Sequence, residues 1–283
     1  MRKGISKKRT AGKEGPGWGN PFDRGLTVTR CRMCSPKLTG PLRLVILSDL
    51  HGTVYGEGQR TLAELVRRQR PDLILMPGDM ADDRRPVEGT LQLLEAISGL
   101  CPAFYVSGNH EEWTGRTREL ARLFEERGVT VLAGDCAEAR AAGQRLQVGG
   151  VSDPHAFTAS HHTGRLDERW KRQLRRCCSR LRPNCFGILL SHRPEPVAYY
   201  RDCGFDLVVS GHAHGGQVRL PGLAPGGLLA PHQGLFPRYA GGMYELGAAR
   251  LAVSRGLCLN RLPRIWNPPE VVLVEAGPAP PRQ

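Results

Sequence analysis

The chain has 283 residues, of which 40% are hydrophobic and 24% charged, and its formal net charge is +13. A chain of this length can bury the core of one large α/β domain, and no apolar run approaches the roughly 20 residues of a membrane-spanning helix. The basic N-terminus, Met1–Arg9, is not followed by an apolar segment. These features argue against a secretory signal and predict a cytoplasmic protein with reduced cysteines.

The positive charge is concentrated in two parts of the chain. Residues 1–40 hold ten Lys or Arg against two acidic residues, and residues 165–182 hold eight against two. Residues 1–24 are basic and low in apolar content, which predicts a disordered tail, and 25–283 are predicted to form a single domain. Both basic segments are either solvated or attracted to an anionic surface, such as membrane phospholipid or nucleic acid.

The first half of the chain predicts alternating strands and helices, from the period of its apolar residues. Strands are expected over Leu26–Met33, Leu42–Leu47, Leu73–Met76 and Phe104–Val106, and helices over Leu62–Arg70, Val87–Leu100 and Arg116–Arg127.

The second half is richer in strand patterns. Strands are expected over Val129–Leu132, Arg145–Val151, Ile188–Leu190 and Leu207–Val209, with a loop at Asp153–Gly164 and a basic helix at 165–182. Pro and Gly dominate Val218–Gly242, which predicts a long ordered loop. We expect Met243–Leu246, Leu251–Val253 and Val271–Val274 to complete a second sheet. The whole pattern predicts two stacked sheets flanked by helices.

Five short polar motifs each follow one of these apolar runs. They are Asp49–His51, Gly78–Asp79, Gly108–Glu111, Ser191–His192 and Gly211–His214. Ligands of open α/β sheets lie at the carboxyl ends of the strands, and carboxylate, imidazole and amide groups together suit divalent metals of borderline hardness. One isolated His or Asp is usually hydrogen-bonded to nearby backbone and binds no metal. Here this explanation would have to hold separately for seven candidate ligands at one sheet edge.

The content and order of these motifs resemble those of the calcineurin-like metallophosphoesterase superfamily. Its DxH, GD, GNHE, H and GHxH motifs match residue by residue from Asp49 to His214. Later segments resemble a bacterial branch that includes phosphodiesterases and lipid-linked pyrophosphatases: Gly215–Val218, Gln233–Pro237, Val253–Gly256 and Asn267–Glu270. The resemblance implies a four-layer αββα sandwich of two mixed sheets flanked by helices.

The resemblance also implies a centre of two divalent ions, Mn, Fe or Zn. One ion would be held by Asp49, His51 and His214, and the other by Asn109, His192 and His212, with Asp79 as the bridging ligand and a catalytic residue. A hydroxide that bridges such a pair would attack a phosphodiester, a phosphomonoester or a pyrophosphate.

His110 is the candidate catalytic residue that is not a ligand. The resemblance implies that it contacts the phosphoryl group and protonates the leaving oxygen, a role that suits imidazole near neutral pH; the alternative is that it only orients a ligand. Asp82 and Asp83 either support the ligands from behind or form a simple exposed turn, and the turn is the expectation. His155, His161, His162 and His232 are expected on the surface of loops that border the site.

The sequence leaves three kinds of function to consider: an enzyme, an interaction scaffold and a nucleic-acid-binding module. A metal-dependent phosphoesterase accounts for the complete ligand set, whereas a non-catalytic interaction scaffold of the same fold typically loses ligands. A nucleic-acid-binding module rests on charge alone and lacks interleaved aromatic residues, so no specific nucleic-acid binding is expected. The expected substrate is a phosphoester, including a lipid-linked one. Attraction of the basic segments to anionic lipid predicts peripheral contact with the inner face of the membrane.

Overall fold

Two six-stranded mixed sheets form the centre of the fold. The computed structural model describes residues 20–158, 166–220, 222–259 and 263–279. In spatial order, the first sheet contains β1 (Thr27–Ser35), β14 (Glu270–Pro278), β2 (Leu42–Ile46), β3 (Leu73–Pro77), β4 (Ala103–Val106) and β5 (Val129–Val131). Strands β2 to β5 are parallel, so their carboxyl ends meet at one edge.

The second sheet has the same size and a parallel centre. Its order is β12 (Gly242–Leu246), β13 (Ala249–Val253), β9 (Leu207–Ser210), β8 (Phe186–Ser191), β7 (Gln144–Val151) and β6 (Asp135–Ala141). The two outermost strands are antiparallel to their neighbours. A small separate hairpin consists of β10 (Leu229–Ala230) and β11 (Gly234–Leu235).

The helices cover the outer faces of the sheets. Helices α1 (Arg60–Arg68), α2 (Glu88–Ile97) and α4 (Thr117–Glu125) pack on the first sheet, and α5 (Glu168–Arg180) packs on the second. Two short helices, α3 (Asn109–Trp113) and α6 (Val197–Tyr200), lie in the connections. The predicted four-layer αββα sandwich is therefore confirmed.

Alternating strand residues divide the apolar side chains between three clusters. Leu44, Leu75 and Phe104 of the first sheet share a fully apolar cluster with Ile188 and Val209 of the second, between the sheets. The opposite faces pack against Leu62 and Leu93 in the first helical layer, and against Trp170 and Leu174 in the second. Burial of each such side chain contributes about 1.5–3 kcal/mol, which holds the carboxyl ends of both sheets in place.

One strand was assigned to the wrong sheet from the sequence. Val271–Val274 does not complete the second sheet; it belongs to β14, which pairs antiparallel with β2 through Val272 and Ile46. Both faces of this strand are buried, since Val272 and Val274 lie between the sheets and Val271 and Leu273 lie under the helices. A strand that is apolar on both faces carries no local signal of which sheet it joins.

Several expectations fall partly or wholly outside the described residues. Of the predicted tail, only residues 20–24 are described, and there the Trp266 N–H donates to the Pro21 carbonyl at 2.7 Å. His161, His162 and the start of the basic 165–182 segment lie outside the described residues. Within the described ranges, no helix combines the length and the apolar character needed to cross a bilayer.

Candidate metal centre

The loops that leave five parallel strands converge at one edge of the sandwich. The five polar motifs begin within three residues of the ends of β2, β3, β4, β8 and β9. All seven candidate ligands lie in these loops, and six are buried; they are Asp49, His51, Asp79, Asn109, His192 and His212, with His214 at 14% side-chain exposure. The structure thus brings together every residue that the sequence indicated as a ligand.

Five of the seven candidates have left-handed backbone conformations, which are costly for residues other than glycine. The residues and their φ angles are Asp49 51°, His51 48°, Asp79 53°, His212 66° and His214 45°. Such conformations cost of the order of 1–3 kcal/mol each and cluster at functional sites. The surrounding loops therefore hold these side chains in positions that the isolated chain would not favour.

Gly211 lets two of these loops approach each other closely. A Cβ at this position would lie 2.0 Å from Ser48 Oγ and 2.3 Å from Asp49 Oδ2. The approach allows the His212 N–H to donate to Asp49 Oδ1 at 3.0 Å, which ties the β2 loop to the β9 loop. No larger residue fits at position 211 without moving a candidate ligand.

Asp79 belongs to both groups of candidate ligands. In the first group, Asp79 Oδ2 lies 3.2 Å from His192 Nε2, and His192 Nε2 lies 3.1 Å from both Asn109 Oδ1 and His212 Nδ1. In the second group, Asp79 Oδ2 lies 3.7 Å from His51 Nε2, and Asp49 Oδ1 lies 3.6 Å from His214 Nε2. Within each group of acidic and histidine ligands, the candidate atoms lie within 4.8 Å of one another.

The hydrogen bonds of the outer ring nitrogens orient two of the imidazoles. His192 Nδ1 lies 2.8 Å from the Pro77 carbonyl oxygen, which can only accept, so Nδ1 donates. His51 Nδ1 lies 3.0 Å from Asp82 Oδ2 and donates in the same way. In the neutral rings both Nε2 atoms then direct lone pairs toward Asp79. Metal-ligating histidines are oriented in this way, by a hydrogen bond from the ring nitrogen that does not bind the metal.

The inner atoms of the centre fit a bound cation. His51 Nε2 and Asp79 Oδ2 are buried and have no hydrogen-bond partner among the described residues. Around them lie carboxylate, amide and imidazole acceptors about 3 Å apart, which would repel one another without positive charge between them. Buried polar atoms normally have partners, so this set of donors fits divalent ions of borderline hardness.

The electrostatics of the centre also favour positive charge. Burial disfavours the charged imidazolium of His192, yet the Asp79 and Asp49 carboxylates raise its pKa to about 10. Burial likewise opposes ionisation of Asp79, but the neighbouring His192 holds the pKa of this carboxyl well below its usual value. Burial and, to a smaller extent, the nearby His192 lower the pKa of His212 well below 6.5. Burial and the nearby His51 do the same to the pKa of His214. These two rings are thus neutral and able to bind metal.

Glu111 connects the loops that carry Asp79 and Asn109, a role that the sequence analysis did not assign to it. Its carboxylate accepts from the N–H groups of Asp79, Ala81 and Gly108 at 2.9, 2.8 and 2.8 Å. Burial and the charge of Asp79 raise the pKa of Glu111 to about 7. The one feature of the sequence that could have indicated this role is the position of Glu111 inside the Gly108–Glu111 motif.

His110 lies at the mouth of the centre, in contact with the acidic pair that follows Asp79. Its backbone N–H donates to Asp79 Oδ1 at 2.9 Å, and its Nδ1 lies 2.7 Å from Asp83 Oδ1. Asp82 accepts from the ring of His51, as described. Burial would raise the pKa of Asp82, but the hydrogen bond from His51 helps to lower it to about 2. The expectation of a simple exposed turn at Asp82 and Asp83 is therefore wrong, because Asp82 lies 3.0 Å from His51 Nδ1 and 3.7 Å from His110 Nδ1, and Asp83 contacts His110.

Two further contacts near the centre were not foreseen. Arg193, directly after His192, forms a buried two-point ion pair with Asp153, with distances of 2.8 and 2.9 Å. Cys258 Sγ lies 3.1 Å from His214 Nδ1, and burial raises the pKa of this thiol to about 12. Arg193 and Cys258 are both about 40 residues away in sequence from the partners they contact. The only available signal was that Arg193 adjoins the Ser191–His192 motif.

The loop histidines differ in their relation to the site. His232 lies against the centre, with Nδ1 3.0 Å from His212 Nε2 and the two rings stacked at 5.2 Å. His155 contacts Trp113, with ring centroids 5.5 Å apart. Both loops therefore border the site as expected.

A cleft of about 300 Å³ opens over the centre. It is lined by the candidate ligands His51 and His214, by Asp82, Asp83, Arg84, Arg85, His110 and Cys258, and by the partly exposed ring of Trp113. Candidate metal-binding, acidic, basic and aromatic side chains thus meet in one opening.

Comparisons with known proteins agree with this geometry. The family profile of the calcineurin-like phosphoesterases matches residues 42–216. The chain is 29% identical to the uncharacterized metallophosphoesterase YkuE of Bacillus subtilis strain 168, over 82% of this chain and 77% of that protein. It is 24% identical to the phosphodiesterase YaeI of Escherichia coli K12, over 83% and 82%.

A solved structure supports the fold alone. The phosphopantetheinyl hydrolase PptH of Mycobacterium tuberculosis superposes with a TM-score of 0.51 at 15% identity, over 85% of this chain and 97% of that one. Together with the family profile and the candidate metal-binding groups, these likenesses identify the chain as a member of the calcineurin-like phosphoesterase family, whose members are metal-dependent phosphoester hydrolases.

Proposed function

We propose that the protein is a binuclear metal-dependent phosphoesterase that hydrolyses a phosphodiester or a pyrophosphate, with phosphomonoesters as alternative substrates. The observation that carries this proposal is the position of Asp79, a fully buried carboxylate that belongs to both groups of candidate ligands. One ion is assigned to Asp49, His51 and His214, and the other to Asn109, His192 and His212, with Asp79 shared.

Two divalent ions at such a centre would supply a hydroxide nucleophile near neutral pH and would neutralise the developing charge on the phosphoryl oxygens. The identity of the ions is proposed as Mn, Fe or Zn, since the donors are imidazole, carboxylate and amide groups. The protein's own contribution is to hold these donors rigidly, through the left-handed loops and the clamp of Glu111.

His110 is proposed as the acid that protonates the leaving oxygen. Its ring is 25% exposed at the cleft, and Asp83 accepts from its Nδ1 at 2.7 Å. This contact occupies Nδ1, so Nε2 is the ring nitrogen that can donate a proton to the leaving group. Asp83 therefore acts as a positioning residue for His110.

The walls of the cleft support a diester or pyrophosphate that carries a large group. Arg84 and Arg85 supply positive charge beside His110, and Trp113 is 43% exposed there. The phosphodiesterase name of the Escherichia coli relative favours the diester class. We include lipid-linked substrates, and with them peripheral contact with an anionic membrane, because the seven Lys and Arg of residues 1–24 would each gain roughly 1 kcal/mol near such a surface.

A metal-reconstituted activity screen tests the proposed function. The protein is loaded with Mn, Fe or Zn and assayed with bis-p-nitrophenyl phosphate, p-nitrophenyl phosphate, nucleoside diphosphate-linked lipids and cyclic nucleotides. Metal-dependent turnover of a diester or pyrophosphate is expected, and Asp79→Asn should abolish it. The absence of turnover with every substrate and metal would favour the non-catalytic scaffold instead.

A further inference from the structure

The small β10–β11 hairpin and the turn before it expose an unusual amount of apolar surface. Four large apolar side chains are exposed there: Leu223 by 78%, Leu229 by 52%, Leu235 by 72% and Phe236 by 68%. Leu229 and Leu235 are paired across the hairpin, and the Phe236 N–H donates to the Leu228 carbonyl at 2.8 Å. We call these four residues the hairpin surface. Exposed apolar residues gathered in this way mark interaction sites.

The charged residues of the segment that carries the hairpin surface are basic. Residues 207–244 contain no Asp or Glu, and of their two arginines Arg219 is half-buried and donates to the Gly215 carbonyl. Arg238 is exposed beside Phe236, and its guanidinium lies 5.4 Å from the centroid of the Tyr239 ring. Glu195, an acid outside this segment, lies within 4.8 Å of His232 and His212, on the side of the metal centre. An apolar surface with a basic rim complements anionic lipid headgroups above an acyl layer.

The hairpin is also attached to the metal centre. His232 lies between β10 and β11 and stacks on His212, with their ring nitrogens 3.0 Å apart. The orientation of the hairpin relative to the cleft is therefore set by a contact with a candidate ligand. The hairpin is thus anchored at the metal centre over which the cleft opens.

We propose that the hairpin surface docks the protein on anionic phospholipid bilayers, with Leu229, Leu235 and Phe236 inserted into the interface and Arg238 at the level of the lipid phosphates. The role of this docking, delivery of an amphipathic phosphoester to the cleft, rests on the proposed function. The docking itself differs from electrostatic attraction of the basic tail, because salt screens exposed charges but does not weaken apolar insertion.

Sedimentation with vesicles separates these contributions. The full-length protein is mixed at physiological salt with vesicles of phosphatidylcholine, alone or with phosphatidylserine. The test variant is Leu235→Ser/Phe236→Ser, which changes no charge. The matched control is Leu100→Ser, because Leu100 is 38% exposed but precedes β4, at the sheet edge opposite the metal centre. A third variant, Arg238→Gln, tests the basic rim.

The hairpin variant should bind vesicles at least about tenfold more weakly than the parent, given the apolar area it removes from the contact. Leu100→Ser should bind as the parent does, and Arg238→Gln should weaken binding only to vesicles that contain phosphatidylserine. Equal binding of parent and hairpin variant, or a parent protein that stays in the supernatant, would overturn the proposal. So would a concentration-dependent dimer that the hairpin variant abolishes, since the surface would then bind a second copy.

The same samples are assayed with bis-p-nitrophenyl phosphate, a soluble diester. Turnover should be equal in the parent and the hairpin variant, because neither Leu235 nor Phe236 lines the cleft. Vesicle binding without any turnover would contradict the proposed function and leave the docking in place. Turnover without vesicle binding would contradict the docking alone.

Discussion

The carboxylate of Glu111 accepts a hydrogen bond from the backbone N–H of Asp79 at 2.9 Å. The same oxygen accepts from the Gly108 N–H, and the other oxygen from Ala81. Glu111 therefore joins the β3 loop to the β4 loop from beneath, and this contact sets the position of the carboxylate shared by both groups of candidate ligands. The candidate metal centre thus depends on a buried residue that is not itself a candidate ligand.

Glu111→Gln should destabilise the protein and weaken metal binding. The amide nitrogen of Gln cannot accept, so one or two buried backbone donors lose their partner, at a cost of about 1–3 kcal/mol. Chemical denaturation and metal titration of the same samples measure the two effects. Glu112→Gln is the control, because Glu112 bonds to the Ser107 and Thr117 hydroxyls instead. Equal metal affinity in both variants would contradict the role of Glu111 as a clamp.

Asp82→Asn and Asp83→Asn should have different effects although the residues are adjacent. Asp82 accepts from His51, a candidate ligand, so its loss should weaken metal binding by roughly 10–100-fold. Asp83 accepts from His110, so its loss should lower kcat and leave metal affinity near that of the parent. Metal titration and steady-state kinetics of each variant decide this. The same effect of both substitutions on metal affinity would show that the two carboxylates do not act separately.

His110→Ala should retain metal and slow turnover by roughly 10²–10⁴-fold, the range for the loss of an acid catalyst. The loss should shrink for substrates with good leaving groups, because these need no proton. A series of aryl diesters with leaving groups of different pKa measures the trend. An equal loss across the series would indicate that His110 orients the site rather than donating a proton.

The architecture was predictable because its signals are local. Apolar runs of strand length, each ending in Asp, Asn or His, indicated both the strands and the edge at which their loops meet. The resemblance of these motifs to a known family then implied the layers of the fold. The convergence of Asp49 and Asp79 follows from parallel strands, since the carboxyl ends of β2 and β3 share one edge. His192 joins them because β8 lies in the second sheet, which stacks on the first with its carboxyl ends at the same side.

The features that the sequence did not predict depend on contacts between residues far apart in the chain. The sheet of β14 is decided by its pairing with β2, more than 220 residues away in sequence, and not by its own residues. The roles of Asp82 and Asp83 depend on where His51 and His110 lie. The contact of His232 with His212 depends on the path of a Pro- and Gly-rich loop. None of these contacts leaves a periodic pattern in the sequence.

Metal stoichiometry is the most direct test of the central assignment, in which Asp79 is shared between two ions. Elemental analysis of protein saturated with Mn should give about two ions per chain, and the spectrum of bound Mn(II) should show magnetic coupling between neighbouring ions. Asp79→Asn should lose one or both ions, lose the coupling and lose nearly all turnover, while its circular dichroism stays that of the parent. No more than one tightly bound ion in the saturated parent, or full turnover by Asp79→Asn, would contradict the account.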